Sequence, residues 1–217
     1  MASLQQLLDQ HQVWRARHGL TASSDSVPSG YAELDALLPG GGLPRAALTE
    51  ILCDQPGIGE LRLLAPLLAR LGQEQRWQLW VTPPWPPYAP ALAQAGIALE
   101  QQVLVQHASP ADSLWAFEQG LRSGACSLVL GWLPRLNTSE LRRLQLAAAS
   151  GDCLGILFRA SHQASQSSPA ALRILLEVRQ QQVGLALLKR RGAWPLPWQT
   201  MALGEVGPVL PPLETAS

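Results

Sequence analysis

The sequence predicts an α/β domain whose central sheet is mostly parallel, with helices on both faces and an antiparallel extension at its C-terminal end. Strand-like and helix-like segments alternate from residue 47 onward, which is typical of parallel strands joined by helices. Hydrophobic residues make up 47% and charged residues 15% of the 217-residue chain, which is enough for one large core. Near the end, the pattern changes to consecutive strands at 172–179, 183–189 and 198–203.

The first units of this alternation follow one another closely. A strand at 47–53 precedes a Leu-rich helix at 60–71, and a strand at 77–82 leads through a proline-rich turn into a helix at 88–95. A short strand at 102–106 follows. This order indicates repeated strand–helix–strand crossovers.

Helix boundaries in the middle of the chain carry clear capping signals. Ser109 is a predicted N-cap, with Pro110 at the first helical position and Gly124 after the last turn, before a buried strand at 126–132. Asn137 and Glu140 have capping-box spacing. They predict a second helix at 138–149, which leads into a strand at 154–158.

The chain divides into three predicted zones. Residues 1–27 form an amphipathic helix and a polar linker, 28–205 form the core domain, and 206–217 form a flexible, proline-containing tail. The N-terminal helix either docks on a partner or another copy, or packs on its own core. Its apolar face consists of Leu4, Leu7, Leu8 and Trp14. The tail is either a linear contact for a partner or inert.

Charge and cysteine content narrow the function classes. Sixteen basic residues balance sixteen acidic ones, so we expect at most weak or indirect DNA contact. Three cysteines without metal-ligand spacing predict no metal site. The chain has no signal-peptide core and no apolar run of the roughly 18 residues that a membrane span needs. We therefore expect a cytoplasmic, nucleoid-associated protein without a membrane partner.

The loop after the first core strand has the outline of a phosphate-binding loop. Asp54 begins it, Gly57 and Gly59 allow a tight turn, and a helix follows. However, Glu60 and Leu61 stand where a phosphate-binding Lys and a Mg²⁺-binding Ser or Thr would be needed. We therefore predict a degenerate loop that binds no cofactor.

Several segments resemble the ATPase core of RecA. They include a Gly-Gly-Leu-Pro turn and the strand before the phosphate loop, and they lie at 27–45, 49–52, 103–134, 154–159 and 185–195. The resemblance implies a RecA-like P-loop NTPase fold with degenerate nucleotide motifs. Gly131 stands where a Mg²⁺-binding Asp belongs, and Pro84 where a catalytic Glu belongs. Together with Glu60 and Leu61, these departures predict a pseudo-ATPase and not an enzyme.

A more specific resemblance is to the ImuA family, whose members are often described as SulA-like. The motifs that carry it lie at 13–16, 38–44, 59–64, 83–90, 114–125, 142–147 and 189–192. On these the chain is identified as a member of the ImuA family. This resemblance implies an accessory role in SOS-induced translesion DNA synthesis and mutagenesis, a form of DNA repair. The implied partners are RecA, ImuB and, indirectly, an error-prone DnaE-type polymerase, with possible self-association.

The alternative reading is a SulA-type inhibitor of cell division that binds the tubulin-like protein FtsZ. Both readings describe interaction modules, so fold alone does not separate them. The predicted partner-binding residues beyond the N-terminal helix are aromatic or basic and lie in turns or late strands. They are Trp85, Lys189, Arg190, Arg191, Trp194 and Trp198.

Overall fold

The computed structural model describes residues 26–203, which form alternating strands and helices. The strands are β1 (Ser26–Val27), β2 (Leu43–Pro44), β3 (Leu48–Leu52), β4 (Trp77–Val81), β5 (Gln102–Val105), β6 (Cys126–Trp132), β7 (Leu154–Arg159), β8 (Leu172–Arg179), β9 (Gln182–Arg190) and β10 (Leu196–Thr200). The α-helices are α1 (Ala32–Leu37), α2 (Glu60–Gly72), α3 (Ala89–Gln94), α4 (Pro110–Arg122) and α5 (Thr138–Ser150). Two 3-10 helices span Leu99–Gln101 and Ser161–Ser165.

A mixed sheet of eight strands forms the centre of this part of the chain, in the order β10-β9-β8-β3-β7-β6-β4-β5. The strands from β8 to β5 are parallel to one another. β9 runs antiparallel to both β8 and β10. The predicted alternation of strands and helices is therefore confirmed, and so are the late hairpins, although β10 ends at Thr200 and not at 203.

Two hydrophobic clusters lie on the two faces of the sheet. On one face, Ile51, Trp80 and Ile156 pack with α1 and α2. On the other face, Leu48 and Leu157 pack with α4 and α5. Strands buried on both faces need apolar residues at successive positions, which explains the nearly continuous hydrophobic runs in β6 and β7.

The start of the described chain differs from the sequence prediction. Residues 20–27 were expected to be a linker, but Val27 pairs with Leu43 in a small antiparallel sheet formed by β1 and β2. A Cβ at Gly42 would lie 2.4 Å from the Val27 carbonyl oxygen, so only glycine permits this close approach. Helix α1, between these strands, was also not predicted.

The predicted helix caps are confirmed. The Ser109 hydroxyl accepts a hydrogen bond from the Asp112 backbone N–H at 3.2 Å. At α5, the Asn137 side chain accepts from the Glu140 N–H at 2.9 Å, and the Glu140 carboxylate accepts from the Asn137 N–H at 2.8 Å. These contacts satisfy N–H groups that have no partner within the helix.

The predicted class of RecA-like P-loop NTPase fold is wrong. In a P-loop, backbone N–H groups are free to hold a phosphate, whereas here the Gly57 N–H donates to the Glu60 carboxylate at 2.7 Å. The fold is instead described by its mixed sheet with helices on both faces.

Two of the predicted zones lie mainly outside the described residues. These are the N-terminal helix, including Leu4, Leu7, Leu8 and Trp14, and the tail at 206–217. Among the helices that are described, none has the length and apolar character needed to cross a membrane.

Candidate functional site

The loop between β3 and α2 is closed by the side chain of Glu60. Glu60, the first residue of α2, is buried, and one of its carboxylate oxygens accepts the Gly57 N–H. The other oxygen has no partner among residues 26–203. Gly59 precedes the helix with φ of +118°, a conformation that favours glycine. An internal carboxylate thus takes the place at this helix start where an anion would bind.

Two further side chains at this loop are the Cys53 thiol and the Asp54 carboxylate. Burial, reinforced by the carboxylates of Glu60 and Asp54, raises the pKa of the Cys53 thiol to about 11. The Cys53 thiol therefore stays protonated at neutral pH and is a poor nucleophile. Asp54 itself accepts a hydrogen bond from the Ser161 hydroxyl. Across the described residues, no group of three or more His, Cys, Asp or Glu side chains has the arrangement of a metal site.

Packing explains two residues that the sequence analysis treated as lost catalytic positions. A Cβ at Gly131 would lie 2.4 Å from Cδ2 of Phe117, so β6 needs a glycine where α4 presses on it. Leu61 is half-buried and packs against the core on the side of α2. Packing therefore explains why a glycine and a leucine occupy these two positions, and the explanation does not involve a nucleotide.

A buried ion cluster, which was not predicted from the sequence, joins the middle of β3 to the carboxyl end of β7 and the amino end of β8. Glu50 of β3 pairs with Arg159 of β7 at 2.8 Å and with Arg173 of β8 at 2.5 Å. All three side chains are almost fully buried. The two arginines lie 109 and 123 positions after Glu50 in the chain, so no short sequence motif indicates the cluster.

The two guanidinium groups also hold the segment that follows β7. Arg173 donates to the backbone carbonyl oxygens of Gln163 at 2.9 Å and Gln166 at 2.8 Å. Arg159 donates to the Gln163 side chain at 2.8 Å and to the Leu136 carbonyl at 3.2 Å. The cluster is therefore a structural support for this loop, and its polar groups face inward.

The residues of the predicted basic turn lie at the end of β9 and are mostly bound to their own chain: Lys189 and Arg190 belong to the strand, and Arg191 follows it. Lys189 donates to the Ser168 carbonyl at 2.7 Å, and burial together with Arg191 and Arg173 lowers the pKa of its ammonium. Arg190 donates to the carbonyls of Leu37 and Trp194. Of the three basic side chains, only that of Arg191 is exposed.

The late tryptophans differ in exposure. Trp194, beside the basic turn, is 86% exposed. Trp198 is half-buried on β10, where the Arg179 guanidinium lies 5.0 Å from the centre of its ring. Trp198 is also close to Gly184, where a Cβ would lie 2.4 Å from the indole. Trp194 is thus available for a contact, whereas Trp198 mainly packs the β9–β10 hairpin.

Exposed apolar side chains concentrate at the opposite edge of the sheet. β5 has β4 on one side and no strand of residues 26–203 on the other. It projects exposed side chains from both faces, and further exposed residues lie in the segments that enter α3 and β5. We call this set the β5-edge surface, and it comprises Trp85, Tyr88, Leu99, Val103 and Leu104.

An apolar, unpaired sheet edge is a favourable site for protein contact. Trp85 is 55% exposed and Tyr88 is 58% exposed, and aromatic side chains of this kind often supply much of the binding energy in interfaces. Trp85 was predicted from the sequence as a partner-binding residue, whereas the other four members were not. The sequence indicated this surface only through the short predicted strand at 102–106, which follows a proline-rich turn. That this strand lies at the edge of the sheet is known only from the strand order.

The family model described as "Cell division inhibitor SulA" matches residues 47–155, half of the chain. A protein of Edwardsiella piscicida named "Cell division inhibitor SulA" is 41% identical over 97 residues, 45% of this chain and 58% of that protein. The protein of the same name from Serratia marcescens is 33% identical over 118 residues, 54% of this chain and 70% of that protein.

One solved structure also matches part of the chain. The crystal structure of SulA from Pseudomonas aeruginosa has 30% sequence identity and a TM-score of 0.45. The match covers 54% of this chain and 99% of that one.

These matches overturn the resemblance to the ImuA family, which is wrong. The implied role in translesion synthesis, mutagenesis and DNA repair is wrong with it, because the family model and the relatives are described as inhibitors of cell division. RecA, ImuB and a DnaE-type polymerase are likewise not supported as partners. The expectation of an SOS-response protein is compatible with the matched family. The matched description is that of an inhibitor and not of an enzyme.

Proposed function

We propose, since this chain belongs to the SulA family, that it inhibits cell division by binding FtsZ as part of the SOS response. The observation that carries the proposal is the family match across residues 47–155, together with relatives at 33–41% identity that bear the name of division inhibitors. The alternative in the sequence analysis thus becomes the main reading.

Inhibition by this protein is proposed to need binding and no catalysis. The Glu60 carboxylate closes the loop after β3, and the Cys53 thiol is held protonated. A protein that acts by occupying a partner's surface needs neither a free anion site nor a nucleophile.

The β5-edge surface is the proposed contact with FtsZ. All five of its residues fall inside the segment that the chain shares with the family. A contact needed for a shared function belongs in the shared segment. The surface also combines aromatic anchors with an unpaired strand edge, which are two features that favour protein binding.

The basic turn and its tryptophans lie outside the shared segment. Lys189, Arg190, Arg191, Trp194 and Trp198 all follow residue 155, where the family match ends. Two of the three basic side chains are also engaged with backbone carbonyls. That these residues bind a partner therefore stays a prediction, and it concerns a contact separate from the one proposed for FtsZ.

The test is a sedimentation assay of FtsZ polymers assembled with GTP. The full chain is expected to reduce the sedimented FtsZ in proportion to its concentration. A variant with Trp85→Ala and Leu104→Asp is expected to lose most of this effect, since hot-spot substitutions cost about 2 kcal/mol or more each, roughly thirtyfold in affinity.

The matched control is Leu146→Ala, which removes an exposed apolar side chain from α5 on a different surface. It should inhibit like the unaltered chain. Equal inhibition by the Trp85 and Leu104 variant would place the contact elsewhere. Absence of any effect by the folded full chain would refute FtsZ as the partner.

A further inference from the structure

Hydrophobic packing does little to hold β5 at the edge of the sheet. The strand has four residues, and none of their side chains is fully buried. Among the strands of residues 26–203 only β4 pairs with it, from Gln78 opposite Gln102 to Val81 opposite Val105. Segments with few buried apolar contacts open more readily than the rest of a fold. The β5-edge surface therefore keeps one arrangement only if other contacts fix this strand.

The Gln102 side chain, on the first residue of β5, supplies such contacts. Its carbonyl oxygen accepts a hydrogen bond from the Trp80 indole N–H at 2.8 Å. Its amide nitrogen donates to the Gln78 side-chain oxygen at 3.2 Å and to the Ala98 carbonyl oxygen at 2.7 Å. Because a primary amide has two N–H groups and one oxygen, every polar group of this side chain is engaged.

The partners of Gln102 are themselves fixed in the core. Gln78 and Trp80 are 0% and 1% exposed. Gln78 donates to the Leu68 carbonyl oxygen of α2 at 2.7 Å, and the Trp80 ring stacks with that of Trp132, with centroids 6.1 Å apart. A buried donor or acceptor without a partner costs free energy, so the Gln102 amide has one favoured orientation. A continuous set of hydrogen bonds therefore runs from α2 through β4 to β5.

This hydrogen-bond network adjoins three members of the β5-edge surface. Leu99 follows Ala98 at the start of a 3-10 helix, and Val103 and Leu104 follow Gln102 on β5. All three side chains are exposed, whereas Gln102 is half-buried. By joining Ala98 to β4, Gln102 fixes the backbone next to each of these exposed side chains.

We infer that Gln102 is a positioning residue for the partner contact at the β5-edge surface. It acts through Gln78, Trp80 and Ala98, and it holds the exposed apolar side chains in the arrangement that the partner binds. A surface that is already ordered loses little conformational entropy on binding, which favours tighter binding. The inference rests on the contact with FtsZ proposed above, and it adds a residue whose own polar groups all point away from that contact.

Hydrogen exchange of the full chain without FtsZ, followed by mass spectrometry, tests the positioning by itself. Gln102→Leu removes all three hydrogen bonds and keeps a side chain of similar size. It should speed amide exchange in residues 99–105 about tenfold or more, because the strand then opens locally. Asn137→Ala is the matched control, since it weakens the cap of α5 and leaves this network intact. In the control, residues 99–105 should exchange at nearly the rate of the unaltered chain.

Binding of FtsZ to the same variants measures what the positioning contributes. Gln102→Leu should weaken the binding about tenfold, because the partner must then order the segment. Asn137→Ala should bind like the unaltered chain. Trp80→Phe removes one of the three hydrogen bonds and keeps an aromatic ring, so it should change exchange and affinity less, in the same direction. It provides the same test if Gln102→Leu does not fold.

Two results would overturn the inference. One is exchange in residues 99–105 of Gln102→Leu at the rate of the unaltered chain. The other is faster exchange together with an unchanged affinity for FtsZ, which is the result that a merely structural role would give. Failure of the unaltered chain to bind FtsZ would instead refute the proposed function, and the exchange rates would still decide whether Gln102 fixes β5.

Discussion

The Arg159 guanidinium donates to the Glu50 carboxylate at 2.8 Å, and these two side chains are only 2% and 0% exposed. Glu50 lies in the middle of the sheet order and accepts from a second arginine on its other side. Burying an ion costs several kcal/mol unless it is paired and hydrogen-bonded, so the three charges depend on one another. The cluster ties β3, β7 and β8 together beneath the loop after β7.

Replacing Glu50 should therefore be among the most damaging single changes in the sheet. Glu50→Gln leaves two buried guanidinium groups without a counter-charge and should lower the free energy of unfolding by about 3–5 kcal/mol. Urea titration followed by circular dichroism measures this. Glu177→Gln removes an ion pair with Arg179 in which the arginine is half exposed, and it should cost no more than about 1 kcal/mol. Equal losses for the two variants would contradict the role given to burial.

The buried Cys53 thiol predicts how stability depends on alkaline pH. Its folded pKa of about 11 lies above its ordinary value of 9.0. Between these values the unfolded chain releases the proton more readily than the folded chain, so the free energy of unfolding should fall as pH rises from about 9 to 11. Burial raises the pKa of Cys126 and Cys153 in the same direction.

The check is a series of urea titrations between pH 8 and pH 11. Cys53→Ala should flatten part of the alkaline decline, with Cys53→Ser as a second variant of similar size to the native residue. If the free energy of unfolding declined as steeply with pH in both variants as in the unaltered chain, Cys53 would be excluded as a cause. Thiol labelling at pH 8 should be slow in the folded chain and fast after unfolding.

Gly131 should not tolerate even a methyl group. The added Cβ of Gly131→Ala would meet the Phe117 ring at 2.4 Å, and we expect a loss of about 1–3 kcal/mol in the free energy of unfolding. Phe117→Leu in the same chain should relieve part of this clash. The double variant is then less destabilised than the sum of the two single changes, whereas strict additivity would contradict the contact.

The cap of α5 gives a smaller effect that can be measured independently. Asn137→Ala removes the acceptor for the Glu140 N–H and should cost about 1 kcal/mol. Asn137→Asp keeps the acceptor and adds a negative charge at the positive end of the helix, so it should retain the stability. The midpoints of thermal unfolding of the two variants give the comparison. A lower midpoint for Asn137→Asp than for Asn137→Ala would argue against this cap.

Local chemistry made most of the secondary structure predictable. Ser109 and Asn137 mark helix starts because their own side chains accept a hydrogen bond from the free backbone N–H three residues later. The small β1–β2 sheet was missed because each strand has only two residues, too few for a period to be recognised.

The family assignment went wrong for a physical reason that can be seen at Gly59. Gly59 opens the motif at 59–64 and serves a left-handed backbone turn, a requirement that does not depend on a particular family or a nucleotide. Such a glycine therefore fits several proteins of similar local shape. The β5-edge surface and the Glu50 cluster depend on which strands are neighbours, and strand order is a tertiary property that no short motif contains.

Inhibition of cell division by this chain is tested most directly by measuring cell length after its induced expression in dividing bacteria. We expect long, undivided cells with continued growth in mass, and cells of near-normal length when the chain carries Trp85→Ala and Leu104→Asp at the same abundance. Cells of normal length and division rate, despite accumulation of the folded, unaltered chain, would contradict it.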